Sequence, residues 1–403
     1  MRAGASARSI SQIFGVSLSH IQYWLLRAQG KRLDRVDWTD QPSRPVKSPR
    51  RTDPDLEKRI ARARQHLSAS ALGECGANAI AAYLMAKDPL SHVPCVRTIG
   101  RVLLRLGLLD AKVRCRRAPP PRGWYLPLLA EGRAELDSFD IVEGLFMAGG
   151  IEVEVLNAMS LHGRLAGSWP QGRFTAPAVM ACLMDHWQRH GLPAYVQFDN
   201  APLFQGAIGY ADCLGRVVRL CLQLEVTPVF APPRETGFQA AIESYNARWQ
   251  VQVWHRFKHA NFRALKKRSA AYVAACQFKT APTIAAASAQ RRPYPSSFCF
   301  QAKGPLIRTA IFLRRTDGAG RVTVMGRLYA VDEQWQHRLL RVEVNFDTME
   351  MKFFALRRAA PLWQPLLHTQ RYEAAAKQPG RLRALIDGAT GGRRLDKRYS
   401  VPR

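Results

Sequence analysis

Two hydrophobic periods alternate along the middle of this chain, and the switches between them mark out its elements. IEVEVLNAMSL at 151–161 has the chemistry of a strand, rich in β-branched residues with polar positions interleaved. TAPAVMACLMDHWQRHG at 175–191 repeats its apolar positions at helical spacing, with Thr175 placed to cap its start and Gly191 to end it. AYVQF at 194–198 and VTPVF at 226–230 read as short buried strands, with a helix, GRVVRLCLQL at 215–224, between them. GFQAAIESYNARWQVQVWHRF at 237–257 reads as a long amphipathic helix. Strand and helix runs in turn over 130–275 predict an α/β domain. Residues 305–357 differ: TAIFLRR, RVTVMG, RLYAV, LLRVEVNF and MKFFALR are short strands cut by Gly and Asp turns, the pattern of a small β-barrel.

The amino end is helical. SISQIFGVSLSHIQYWLLRAQ at 9–29 is laid out as helix, turn, helix: the first helix ends at Phe14, Gly15 turns the chain and Ser17 caps the second. The second helix turns Ile21, Trp24 and Leu25 inward and offers Ser19, Gln22, Tyr23 and Arg27 outward, with His20 at the edge. A second unit, GANAIAAYLMAKDPLSHVPCVRTIGRVLLRLGLL at 76–109, predicts another pair of helices. Proline-rich basic linkers, QPSRPVKSPRRTDP at 41–54 and RRAPPPR at 116–122, separate the blocks. The expected organisation is a helix-turn-helix at 1–38, a helical DNA-binding domain at 55–113, a catalytic α/β domain at 125–280, a barrel at 300–362 and a basic tail at 363–403.

Charge gives these blocks a partner. Sixty Lys and Arg stand against 31 Asp and Glu, a net charge of +29, and a surface that basic is stabilised by a polyanion. Double-stranded DNA is the expected one, since each neutralised phosphate releases counterions. The eight cysteines show no CxxC pair, which argues against a cysteine zinc site and for free thiols in a reducing compartment. No apolar run of signal or membrane-spanning length occurs. The expected location is the cytoplasm, in association with the nucleoid.

Three places offer carboxylates for chemistry. In QFDNAPLFQG at 197–206, a short apolar strand delivers Asp199 at its carboxyl end, facing the crevice where α/β sheets bind ligands. In PRETGFQAAIESYNARWQ at 233–250, a helix carries Glu243 on a polar face with Gln239, Asn246 and Gln250. AELDSFDIVEG at 134–144 offers Asp137 and Asp140, which strand alternation points to opposite faces, so only one can join the site. The run Glu-Leu-Asp favours Asp137, with Asp140 the alternative.

Strand–Asp, strand–Asp-Asn-x-x-x-Phe and helix–Glu-x-x-Asn together resemble the catalytic core of the DDE transposase and retroviral integrase superfamily, over about residues 130–275. The resemblance implies an RNase H-like fold, with metal held by Asp137, Asp199 and Glu243. It also implies two Mg²⁺ or Mn²⁺ ions roughly 3.5–4 Å apart that drive phosphoryl transfer. The implied reaction nicks a transposon end and uses the freed 3′-hydroxyl to attack target DNA, in a homo-oligomer assembled on that DNA. The alternatives are an inactive or domesticated DNA-binding relative and an RNase H-like nuclease without strand transfer. Asn200, Asn246 and Arg248 are expected to contact DNA beside the carboxylates, as His20, Gln22, Tyr23 and Arg27 are at the amino end. Two departures point to a divergent branch: Ala201 stands where the family usually has Gly after Asp-Asn, and Gln250 occupies the frequently basic position seven residues after Glu243.

The remaining candidates have blander readings. His186 with His190, and His255 with His259, have helical i,i+4 spacing but no evident third ligand, so structural roles are expected. Trp169, Trp187 and Trp249 read as core. The arginines of FLRRTDGAGR at 312–321 and ALRR at 355–358 are expected to touch phosphates.

Overall fold

Among its described residues, the computed structural model has eleven strands: β1 (Leu136–Met147), β2 (Ile151–Ser160), β3 (Ala166–Gln171), β4 (Tyr195–Phe198), β5 (Thr227–Phe230), β6 (Thr309–Arg315), β7 (Arg321–Val324), β8 (Arg327–Ala330), β9 (Leu339–Asn345), β10 (Glu350–Ala355) and β11 (Leu366–Arg371). The structure describes residues 4–40, 52–87, 92–109, 125–206, 211–235, 237–357 and 359–373. The linker segments 41–51 and 116–122 and the basic tail from 374 lie outside the described residues. The described chain divides into two units, Met1–Arg59 and Ile60–Arg403.

In the first unit, α1 (Ala7–Phe14) and α2 (Leu18–Ala28) are joined at Gly15, whose φ of 64° is the left-handed conformation a helix end favours. Ser17 caps α2 by accepting the His20 N–H. Helix α3 (Pro54–Ala69) spans the division; α4 (Ala77–Lys87) and α5 (Val96–Arg105) follow in the second unit. Ile99, Val102 and Leu103 form the buried stripe of α5.

The sheet is mixed, with strand order β11-β10-β9-β6-β5-β4-β1-β2-β3, while β7 and β8 form a separate hairpin. Strands β1, β2 and β3 run antiparallel; β4 runs parallel to β1, β5 to β4 and β6 to β5. Gly144, with φ 74°, sits where the β1–β2 register shifts between Val142 and Leu145, a bulge that bends the hairpin. Helices α6 (Pro127–Ala130), α7 (Ala176–His190), α8 (Pro202–Gln205), α9 (Arg216–Gln223), α10 (Ala240–Trp249), α11 (Phe262–Lys279) and α12 (Ala281–Ala287) complete the unit. Thr175 caps α7 as expected. Helix α10 ends at Trp249, and Gln250–Trp254 is a π-helical turn, so the long helix expected over 237–257 is interrupted.

A closed barrel over 300–362 is not seen among the described residues. Strands β6, β9 and β10 extend the sheet instead of closing on themselves, and β3 and β11 are its two open edges. Phe230 and Phe312 stack across the β5–β6 pair with ring centroids 5.1 Å apart. Phe312, Val342, Val344 and Phe353 share one core with Phe139, Trp187 and Phe198. Alternation along these strands revealed one buried face; the partner covering it belongs to tertiary packing. The second unit is thus a mixed α/β body built on a large mixed sheet.

Candidate active site

Register decides which aspartate faces the crevice. Strand β1 lies parallel to β4 with Asp137 beside Val196 and Ser138 beside Gln197, and Ser138 Oγ donates to Gln197 Oε1 at 3.2 Å. Two residues further along each strand, Asp140 comes level with Asp199. Alternation puts Asp140 on the Ser138 face and Asp137 on the opposite one.

Asp137 is fully buried under α7. It forms an ion pair with Arg291, whose Nη1 donates to Oδ2 at 3.2 Å, and takes the indole N–H of Trp187 at 3.1 Å. His186 Nε2 lies 3.7 Å from the same oxygen. Burial, opposed by the Asp137 charge, lowers the His186 pKa to about 4, so this imidazole is neutral. Asp137, expected as the first-strand site residue, thus has its carboxylate engaged in a salt bridge inside the core.

Asp140 has the opposite environment. Burial, then the charges of Asp199 and Glu243, push its pKa up to about 6, against the lowering hydrogen bonds from the Ile141 N–H and Asn246. Burial also raises Asp199, whose Oδ1 accepts the Ala201 N–H at 3.0 Å. Glu243 is exposed in the first turn of α10, while Ile242, Tyr245 and Trp249 anchor the helix as its apolar spacing predicted. Among the described residues, no three His, Cys, Asp or Glu side chains converge closely enough to enclose a metal ion. Asp140 thus feels the charges of both Asp199 and Glu243. Carboxylate and amide oxygens are the hard donors that divalent cations take, and Asn200 Oδ1 is buried without a partner.

A row of amides and hydroxyls holds Asp140. Asn246 Nδ2 donates to Asp140 Oδ2 at 2.7 Å, Asn157 Nδ2 to Asn246 Oδ1 at 2.8 Å, and Ser168 Oγ to Asn157 Oδ1 at 2.6 Å. Tyr245 Oη shares a hydrogen bond with Ser168 Oγ at 2.8 Å. Sheet register sets the row: Asp140 pairs with Asn157, and Asn157 with Ser168. Sequence reasoning missed Asn157 and Ser168, although an Asn inside the apolar run of β2 was a legible signal.

The residues expected to meet DNA divide. Gln22, Tyr23 and His20 are exposed on α2, with His20 Nε2 accepting the Trp24 indole N–H at 3.1 Å. Arg27 is committed within its own unit to Asp37 and to the Thr39 carbonyl. Asn246 is buried, and Asn200 Nδ2 donates to the Ala231 carbonyl at 2.6 Å. Arg248 is exposed, its Nε donating to the Ser244 carbonyl. Near the carboxyl end, Arg315 pairs with Glu235, Arg321 with Asp317 and Arg341 with Glu343. Arg357 stacks over Trp363 at 3.8 Å, and Arg358 lies outside the described residues. Trp187 and Trp249 are core, and Trp169 is half-buried, bound to Asp185 at 3.1 Å.

No protein-family model matches the chain, and no curated protein matches it. Among solved structures it is similar to the catalytic core domain of BIV integrase, at 17% identity over 35% of this chain and 80% of that one, with a TM-score of 0.25. A structure of the simian T-cell lymphotropic virus intasome in complex with PP2A regulatory subunit B56 gamma matches at 12% identity over 78% of this chain and 100% of that one, TM-score 0.30. The HTLV-2 integrase catalytic core domain in complex with magnesium matches at 10% identity over 33% and 81%, TM-score 0.24. Among the described residues, no helix is long and apolar enough to cross a membrane.

Proposed function

We propose that this chain is a polynucleotidyl transferase acting on double-stranded DNA, a DDE-type transposase or integrase whose acidic set is Asp140, Asp199 and Glu243. The observation that carries the reading is the placement of Asp140, held by Asn246 of α10 where the charges of Asp199 and Glu243 reach it. Asp140 replaces Asp137 in the set, because Asp137 lies on the other face of β1 in an ion pair.

Asp140, Asp199 and Glu243 would hold Mg²⁺ or Mn²⁺, which supplies Lewis acidity toward the scissile phosphate and its attacking oxygen. Asn246 holds Asp140 by one carboxylate oxygen. Asn200, tied to the Ala231 carbonyl, holds the loop that follows Asp199. The exposed edge of α2 would read the terminal DNA, and the chain would work as a homo-oligomer on that DNA.

The test is nicking and strand transfer on DNA carrying the element's own ends, with Mg²⁺ or Mn²⁺. Wild type is expected to cut and join, and Asp199→Asn and Glu243→Gln to do neither. Full activity in Glu243→Gln would contradict the assignment. Cutting without joining would make the chain a nuclease; binding without either would make it a non-catalytic relative.

A further inference from the structure

The carboxyl-terminal strands bring one unusual cation to the crevice end of the sheet. Register aligns Phe198, Phe230 and Phe312 across β4, β5 and β6. Two residues beyond this row, Asn200 and Arg314 follow on the same side, past the carboxyl ends of β4 and β5, where open α/β sheets receive ligands. A shared acceptor supports the placement: the Ala231 carbonyl takes Asn200 Nδ2 at 2.6 Å and Arg314 Nη1 at 3.4 Å.

Arg314 is only 8% exposed, yet among the described residues no carboxylate pairs with it. Its guanidinium lies 5.2 Å from the Phe312 ring centroid, and Nη1 also donates to the Leu313 carbonyl at 2.8 Å. Burial alone lowers its pKa, to about 10. Other arginines of this sheet behave differently: Arg341, equally buried, pairs with Glu343, and the adjacent Arg315 pairs with Glu235. A cation held away from water without an anion destabilises the free protein, and a ligand can supply the missing charge. Guanidinium forks match phosphate oxygens in a bidentate way.

We propose that Arg314 is a phosphate-binding residue that clamps a backbone phosphodiester of DNA beside the Asp199–Asn200 loop. The proposal rests on the reading of this crevice as a DNA-processing site, and it gives the strands after β5 a role there: they deliver the clamp. The shared chemistry is a phosphate anion, from either a DNA backbone or free phosphate.

The test uses the full chain without divalent metal, so that binding is read apart from cutting. Affinity for a fluorescent DNA duplex is measured from 50 to 200 mM salt for wild type, Arg314→Met and Arg314→Lys, with melting temperatures in chloride and in inorganic phosphate. Arg314→Met is expected to bind at least about tenfold more weakly, with a salt slope smaller by about one, as the loss of a single phosphate contact requires. It should melt no lower than wild type, because an uncompensated buried charge has gone. Arg314→Lys, which keeps the charge but loses the fork, should lie between them. Unchanged affinity and slope in Arg314→Met would overturn the proposal. If that variant fails to fold, wild-type binding by Arg314→Lys would overturn it instead. A phosphate-dependent rise in melting temperature that requires Arg314, with unaltered duplex binding, would overturn the assignment to DNA. If Asp199→Asn leaves strand chemistry intact, the catalytic reading falls while this binding result stands.

Discussion

Asp137 and Asp140 stand three residues apart on one strand, and their surroundings are near opposites. Asp137 faces α7, fully buried, with a guanidinium, an indole N–H and a neutral imidazole around it. Asp140 faces α10, with Asp199 and Glu243 as charged neighbours and an amide row as its support. The first cluster balances its charge and ties the segment after α12 to β1. The second concentrates like charge, which lowers the stability of the free protein and is retained at sites that bind cations or do chemistry. On the proposed reading, the same residue type on the same strand serves structure on one face and would serve chemistry on the other.

The largest effect should come from breaking the balanced cluster. Arg291→Met leaves the Asp137 carboxylate buried and unpaired, and is expected to cost about 3–5 kcal/mol in urea unfolding. Adding Asp137→Asn should recover part of that loss, as a double-mutant cycle would show. Additive losses would mean that the two side chains do not depend on each other.

Acid separates the clusters by sign. Asp140 has a folded pKa of about 6 against an ordinary 3.8, so between these values the folded protein holds a proton that the unfolded chain has released. Its contribution to stability therefore falls as pH rises from about 4 to 6, by up to ~3 kcal/mol without divalent metal. His186 has a folded pKa of about 4 against 6.5, so the unfolded chain binds the proton first. Its contribution falls as pH drops from 6.5 to 4, by up to ~3 kcal/mol. The two oppose each other in the wild type. Unfolding titrations of Asp140→Asn should unmask a steeper loss in acid, and those of His186→Leu a gain. Parallel profiles in both variants would show that neither shift exists.

A smaller effect tests the amide row. Asn157→Ala strands the buried Asn246 Oδ1 and takes one acceptor from Ser168 Oγ, at a cost of about 1–3 kcal/mol. It should also lower metal-dependent DNA cleavage by ~10–100-fold, as loss of support behind a metal-binding carboxylate does. A stability loss with unchanged cleavage would leave the row a purely structural feature.

Much of this was legible from local chemistry. The Thr175 cap, the short strands β4 and β5 and the buried face of α10 follow from periodicity and capping, and the structure carries them. The Asp137–Asp140 choice was not legible, because alternation says that the two diverge but not which face receives α7. Arg291, the partner that occupies Asp137, lies 154 positions away in the chain. The joining of β6 to β5 was not legible for the same kind of reason: it rests on non-local hydrogen bonds that no local pattern encodes. Strand β3, with Gly and Pro in AGSWPQ, lacks strand chemistry, so Ser168 went unseen.

The most direct measurement pairs melting temperature with metal-dependent DNA nicking for Asp140→Asn and Asp137→Asn. Asp140→Asn should melt at or above wild type and lose nicking on the order of 10³-fold or more. Asp137→Asn should melt lower and, at temperatures where it stays folded, still nick. A stable Asp137→Asn that is inactive, beside an active Asp140→Asn, would contradict the account.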